Sequence, residues 1–252
     1  MLAFERHRRI LDLLQIHGSL RTIEMASQLG VTDETIRKDF EALEKRGQLV
    51  RIHGGAIPQA KPGEELPLND RQLICRAEKA AIARLAVERI QPNETIFIDA
   101  SSTALTLTGY LPDFPLTILT NAHNVFTALE GRPNLDLICT GGLFDPRSRA
   151  YIGLLAETSL RRFHIHRMFF SGNGLDLGRG VSENNSRHAA FKERVIPRAN
   201  DVVFLGDHTK LGQTAPFIFG QIEDLNCVIT DSGADPDFVE SLRQNDVEVL
   251  IA

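Results

Sequence analysis

Apolar positions change their spacing along this chain in a way that separates two regions. From Phe4 to His17 they recur at helical intervals, with Ile10, Leu13, Leu14 and His17 on one stripe, and Gly18 ends the run. A second stripe of Ile23, Ala26 and Leu29 predicts a helix capped by Thr22 and closed at Leu29. Ser19-Leu20 before it reads as a short extended link, and Gly30-Val31 after it as a tight turn. A third stripe, Ile36, Phe40 and Leu43, predicts a helix opened by Thr32, with Asp33 and Glu34 at the positive end of its dipole and Gly47 as its stop. Leu49-Val50-Arg51-Ile52 then alternates as a strand, and His53-Gly54-Gly55 permits a reversal. Residues 1–57 thus describe a winged helix-turn-helix whose third helix presents Thr, Arg and Lys side chains to the major groove of double-stranded DNA.

Residues 58–70 hold three prolines and a glycine without periodicity, the composition of a semi-rigid linker. A helix is predicted over 71–90 on Ala81, Leu85, Ala86 and Ile90. Strand-length apolar runs follow at 95–99, 116–120, 135–140, 167–171, 201–205, 226–230 and 247–251. Helical patterns alternate with them near 103–111, 123–130, 154–162, 184–198 and 235–244. The alternation predicts an α/β domain over 71–252, an open and mostly parallel sheet with helices on both faces. The third connection shows no single periodicity, and strand order does not follow from the pattern.

In a parallel sheet the strand ends share one edge, where α/β folds bind ligands. The candidate ends are Asp99-Ala100-Ser101-Ser102-Thr103, Thr120-Asn121, Thr140-Gly141-Gly142, Ser171-Gly172-Asn173-Gly174 and Gly206-Asp207-His208-Thr209-Lys210. Small residues let backbone amides approach a ligand, Ser101 to Thr103 open a helix as an anion site, and Lys210 can neutralise a phosphate. Asp99 and Asp207 suit sugar hydroxyls or loop orientation. A phosphorylated sugar fits this mixture. Taken singly, each piece has a plainer reading: Ser-Ser-Thr as a helix cap, Gly-Gly as a turn, a lone lysine as a solvated charge.

Composition qualifies the picture. The 252 residues are 42% hydrophobic, enough for two cores, and the net charge of −5 is unevenly spread. Residues 1–57 carry nine Lys/Arg against eight Asp/Glu, and the remainder 19 against 25. Within the first region Arg6, Arg8 and Arg9 form one basic group, and Lys45, Arg46 and Arg51 another, so a local patch can meet phosphates. The cysteines, Cys75, Cys139 and Cys227, are widely spaced, and the last two sit in apolar runs that read as buried thiols. No apolar run reaches about 18 residues and no signal-peptide core is present, so a cytoplasmic protein without membrane contact is expected. His164-x-His166 puts two rings on one strand face, but no third ligand, His208 included, has suitable spacing, so no metal and no cofactor are expected.

The run Val31-Thr-x-x-Thr-Ile-Arg-Lys-Asp-Phe-x-x-Leu-Glu-x-x-Gly-x-Leu-x-Arg-x-His-Gly-Gly-Ala56 resembles the N-terminal signature of the DeoR family of bacterial transcriptional regulators. The family usually has two arginines and a leucine where this chain has Arg37, Lys38 and Phe40. Lys38 keeps the charge without the bidentate fork, which suits phosphate more than guanine. The resemblance implies that Thr32, Thr35, Arg37 and Lys38 face DNA, with Arg51 and His53 in the wing. It extends over the C-terminal half, where it implies an effector domain with the fold of ribose-5-phosphate isomerase. The positions implied there are Asp99, Ser101, Ser102, Thr103, Thr120, Asn121, Gly141, Gly142, Gly172, Asp207 and Lys210, with Glu183 and Lys192 beside the site. Asp99-Ala-Ser-Ser-Thr, Leu-Pro-Asp and Thr-Asn-Ala-His are similar to fucose-operon regulators of the family. The expected protein is a sugar-phosphate-responsive regulator, usually a repressor, acting on an operator as a homodimer or homotetramer. The alternatives are an isomerase-like enzyme, with Asp207 or Glu183 as base and Lys210 as electrophile, and a metal-dependent regulator.

Overall fold

Helix α1 (Ala3–His17) buries Ile10, Leu13 and Leu14, and ends where Gly18 takes a left-handed conformation. His17, expected on the same stripe, is exposed, because the last turn of the helix runs past the core. Strand β1 (Leu20–Arg21) leads into α2 (Thr22–Leu29), and α3 (Asp33–Lys45) follows after a short turn. Of the expected α2 stripe, Ala26 is buried and Leu29 packs against the core, but Ile23 is replaced there by Thr22 and Met25. Ile23 is 72% exposed, and Thr22 is a buried first helical residue rather than the cap. Counting from Thr22 gives the i, i+3, i+4 spacing that the core selects. On α3 the buried positions are Ile36, Asp39, Phe40 and Leu43. Strands β2 (Leu49–Ile52) and β3 (Gly55–Pro58) form the expected hairpin, and β1 pairs antiparallel with β3. A Cβ on Gly55 would lie 2.1 Å from the Leu20 carbonyl, so glycine is required where β1 crosses.

This computed structural model describes residues 1–59 and 66–252. Of the expected 58–70 linker, residues 60–65 lie outside the described residues. Pro58 still belongs to β3, and α4 (Leu68–Leu73) begins inside the linker. The single helix expected over 71–90 is instead interrupted at Ile74-Cys75, where Cys75 has a φ of 47°, before α5 (Arg76–Val87). The chain divides into two compact units, Met1–Cys75 and Arg76–Ala252.

The second unit runs β4 (Thr95–Ile98), α6 (Ser102–Thr106), β5 (Leu116–Thr120), α7 (His123–Leu129), β6 (Leu135–Cys139), β7 (Leu143–Asp145), β8 (Ala150–Ile152), α8 (Leu154–Ser159) and β9 (Ile165–Phe170). It continues with β10 (Gly174–Asp176), β11 (Gly180–Glu183), α9 (Ser186–Val195), β12 (Ala199–Leu205), β13 (Phe217–Gly220), β14 (Cys227–Thr230), α10 (Pro236–Gln244) and β15 (Glu248–Ile251). All seven strands expected from sequence enter one sheet, in the order β15-β14-β12-β9-β4-β5-β6, and every pairing in it is parallel. Phe97, Met168, Phe170, Phe204 and Val228 share one core cluster with Phe191 and Val195 of α9. The mixed α/β class and the mostly parallel sheet are therefore as expected. The unexpected parts are short: a β7–β8 hairpin in the aperiodic third connection, and an antiparallel sheet ordered β10-β11-β13.

From β4 the chain moves outward through β5 to β6, then returns to the other side of β4 at β9 and proceeds through β12 and β14 to β15. The direction in which strands are added reverses between β4 and β9. Open α/β sheets bind ligands outside the carboxyl ends of the strands at such a point.

Candidate functional site

On the outer side of α3, Thr32 caps the helix by accepting from the Thr35 N–H at 3.2 Å, and the two hydroxyls lie 2.9 Å apart. Arg37 and Lys38 are exposed; Arg37 has no side-chain partner among the described residues, and Lys38 reaches only Glu34 at 3.8 Å. Arg51 and His53 are exposed on the hairpin, with Arg51 3.8 Å from Glu44. The inner side contains a cluster that sequence reading missed. Asp39 is buried and takes both the Nε and an Nη2 hydrogen bond of Arg6, the latter at 2.9 Å, while the His7 ring lies 2.9 Å away. Arg6 was expected in a basic patch with Arg8 and Arg9. It is instead buried and neutralised, so only Arg8 and Arg9 of that group reach solvent.

At the switch point, Asp99 follows β4 and Ser171 follows β9. Asp99 Oδ1 accepts from the Ser101 N–H at 2.9 Å and its hydroxyl at 2.5 Å, and Ser101 Oγ in turn caps α6 by accepting from the Ala104 N–H at 3.1 Å. Asp99 Oδ2 lies 3.0 Å from Lys192 Nζ. The Lys192 ammonium also donates to the Ser171 carbonyl at 2.6 Å and to Glu183, so all three of its protons are engaged within the protein. Burial alone pushes this lysine down, but Glu183 and Asp99 outweigh it and hold the ammonium above the usual lysine range. Asp99, Glu183 and Lys192 thus meet in a closed ionic cluster joining β4, β9, β11 and α9.

The hydroxyls divide in the same way. Thr120 donates to the Ile98 carbonyl at 2.6 Å and accepts from the Ala122 N–H at 3.0 Å, which leaves it occupied. The Ser102 and Thr103 hydroxyls have no hydrogen bond among the described residues. The helix they open, expected over 103–111, is five residues long before a 3₁₀ turn at Leu107–Gly109, so it concentrates less dipole than expected. The room left by two glycines is taken by the protein itself. A Cβ at Gly142 would stand 2.7 Å from the Ile152 carbonyl, and one at Gly172 would stand 2.9 Å from that of Ser182. Gly141 holds a φ of 64° with open space beside it.

Three groups at this edge have a buried polar atom without a partner among the described residues, one of them the Thr230 hydroxyl at the end of β14. Asp207 Oδ1 accepts from the Thr209 N–H and hydroxyl, but Oδ2 is buried without a partner. Asn121 donates to the Tyr151 carbonyl at 3.1 Å while its Oδ1 is likewise buried and unpartnered. Buried acceptors of this kind are uncommon and ask for a donor. Lys210 is half-buried, three residues after Asp207, and its ammonium has no partner among the described residues. Next to it His208 is oriented by Asp231, 2.9 Å from its Nδ1, and a Cβ on Gly233 would press on that ring.

His164 and His166 pack edge to face at the opposite, amino end of β9, where His166 Nδ1 accepts from the Thr95 N–H at 3.0 Å. His208 therefore stands at the other end of the sheet. No group of three metal-ligating side chains occurs among the described residues. Cys227 is buried, which pushes its thiol up to about 12, whereas Cys139, also expected in the core, is only half-buried because β6 is an edge strand.

A helix-turn-helix unit, and an α/β unit whose strand ends carry a lysine and buried acceptors without partners among the described residues, match the parts of a DNA-binding regulator with a sensor domain. The DeoR-like helix-turn-helix domain matches residues 6–60 and the DeoR C terminal sensor domain matches residues 74–232, and the chain belongs to the DeoR family of transcriptional regulators. It is 35% identical to an uncharacterized HTH-type transcriptional regulator of Bacillus subtilis over 99% of this chain and 96% of that protein. It is 30% identical to a putative aga operon transcriptional repressor of Escherichia coli O157:H7, covering 98% and 93%. An L-fucose operon activator of Haemophilus influenzae shares 28% identity, covering 98% and 99%. Among solved structures, ribose 5-phosphate isomerase A of Methanocaldococcus jannaschii aligns with a TM-score of 0.41 and 14% identity over 54% of this chain and 55% of that one. The full-length relatives are regulators, so the chain is a regulator and the isomerase alternative falls. No helix among the described residues is long and apolar enough to cross a membrane.

Proposed function

We propose that this protein represses a carbohydrate-catabolic operon in the cytoplasm, and that a phosphorylated sugar at the carboxyl edge of the β4–β15 sheet sets its affinity for operator DNA. The observation that carries this reading is the contrast along that edge. Lys192 is spent on Asp99 and Glu183, whereas Lys210, the hydroxyls of Ser102 and Thr103, and the buried Oδ2 of Asp207 are left without partners among the described residues. A phosphate takes the ammonium and the hydroxyl donors, and sugar hydroxyls donate to Asp207 and Asn121. Asp99, Glu183 and Lys192 then act behind the ligand, fixing the loops that surround it. Residues 1–57 supply the operator contacts: Arg37 reads a base edge, Thr32, Thr35 and Lys38 meet phosphates, and Arg51 and His53 of the wing lie along the backbone. A homodimer or homotetramer places two such helices on a repeated operator.

Repression is favoured by the repressor among the relatives and by the family's usual behaviour, while the activator among them makes the sign a matter for measurement. The test is a thermal-shift screen of the full chain over phosphorylated pentoses, hexoses and deoxyhexoses with their unphosphorylated parents. A phosphate-dependent rise in unfolding temperature, with a change in DNA binding at the same concentration, is expected. Equal shifts from the parent sugars would sink the phosphate reading.

A further inference from the structure

The β7–β8 hairpin is laid across the end of β5. The Tyr151 N–H donates to the Asn121 carbonyl at 2.7 Å, and the His123 N–H donates to the Arg149 carbonyl at 2.9 Å. Its loop is internally fixed, because Asp145 accepts from the Ser148 hydroxyl at 2.6 Å, from the Arg147 N–H at 3.1 Å and pairs with the His188 ring at 3.3 Å. Arg149 follows with a φ of 54°, a left-handed conformation rare for a residue with a Cβ. Its backbone is pinned, yet its exposed guanidinium has no hydrogen bond or ion pair among the described residues.

A cavity of about 440 Å³ opens at this point, walled by His123, Phe144, Pro146, Arg149 and Tyr151. That volume lies in the range that small ligands occupy. The three rings meet edge-on or tilted, with centroids 5.4 to 6.2 Å apart. His123 Nδ1 and the Tyr151 hydroxyl lie 3.3 Å apart, and Phe144 remains 41% exposed. A hairpin that needed only a small core of its own would cover Phe144 and would have no use for an unpaired cation in a disfavoured backbone conformation. Aromatic walls with polar tips suit the C–H faces and hydroxyls of a sugar ring, and a guanidinium fork matches a phosphate or carboxylate.

We propose that this hairpin cleft is the ring-recognition part of the effector site, taking a cyclic anionic sugar with its ring against Tyr151, Phe144 and His123 and an acidic substituent on Arg149. The proposal rests on the reading of the strand edge as the effector site, to which the cleft is joined through Asn121.

Calorimetric titration of the full chain with ribose 5-phosphate, fructose 1-phosphate, fructose 1,6-bisphosphate, glucose 6-phosphate, glucuronate and inorganic phosphate tests it. At least one sugar should bind more than about tenfold tighter than inorganic phosphate, and whether that sugar is a phosphate or the uronate identifies the substituent on Arg149. Arg149→Asn, which retains a residue tolerant of the left-handed backbone, and Tyr151→Leu should each weaken that sugar by about tenfold or more. Tyr151→Phe, which keeps the ring packing, should give a smaller loss and shows that the effect is not unfolding. If both cleft variants bind like the unaltered chain while Lys210→Ala does not, the cleft is no part of the site and the strand-edge reading stands. If Lys210→Ala alone is silent, the cleft holds and the role given to Lys210 fails. If neither set matters, or if no sugar binds, the proposal is overturned.

Discussion

Two lysines near the same strand ends stand in opposite electrical circumstances. Lys192 is buried between two carboxylates and a carbonyl, and Lys210 reaches no partner among the described residues. Deleting the first charge leaves Asp99 and Glu183 buried without compensation. Lys192→Met, which keeps the apolar stem, should therefore cost about 3–5 kcal/mol in urea unfolding. The folded state raises this lysine, so its stabilisation is complete below the ordinary lysine range and fades as pH climbs through the raised value. The gap between the unaltered chain and the variant should accordingly hold steady near neutrality and narrow only in strongly alkaline buffer. A gap that closes between about pH 6 and 8 would mean that another group carries the effect. Lys210→Ala, which breaks no hydrogen bond or ion pair among the described residues and uncovers only part of an aliphatic stem, should cost no more than about 1 kcal/mol.

At the scale of elements, α3 is held from behind as much as it is displayed in front. Asp39 joins it to α1 through Arg6 and His7, so the side chains proposed to face the groove are carried on a helix tied to α1 by a buried ion pair. Asp39→Ala should destabilise by about 3–5 kcal/mol, read in the full chain as lost amide-exchange protection at Ile36–Leu43. Replacing Arg6 and Asp39 together by methionine should restore most of that protection, because the buried guanidinium and carboxylate are then removed as a pair. Failure of the double variant to recover would assign the loss to packing instead. The pair is invisible in sequence because its members are 33 residues apart and Asp39 looks like one more polar position on a helix. The seven parallel strands are legible, since strands buried on both faces become unbroken apolar runs such as Thr95–Ile98 and Cys227–Thr230. The β7–β8 hairpin and the β10-β11-β13 sheet escape notice because three or four residues cannot establish an alternation. Ile23 misleads for a related reason: in an eight-residue helix one exposed isoleucine is enough to shift the apparent stripe. The strand-end loops are legible as a group, but which of their side chains are spent on one another depends on strand order, and that only the fold supplies.

For the whole molecule, the proposed division of labour requires that the two units answer to different substitutions. If effector and operator each favour one of two states of the protein, effector changes operator affinity by the ratio of its own affinities for those states, and operator changes effector affinity by the same factor. Couplings of this kind commonly amount to about 5- to 150-fold. Arg37→Ala removes the proposed base contact, made by an exposed side chain with no partner among the described residues, so operator affinity should fall by about 1–3 kcal/mol while effector still raises the unfolding temperature. Lys210→Ala should give the converse, operator binding at full strength that no longer responds to effector. Gel-shift titrations with and without the sugar found in the screen, run beside thermal unfolding of each variant, separate these outcomes. A single variant that loses both operator binding and effector stabilisation would point to one shared surface, and the two units would then have to be read as a single binding device.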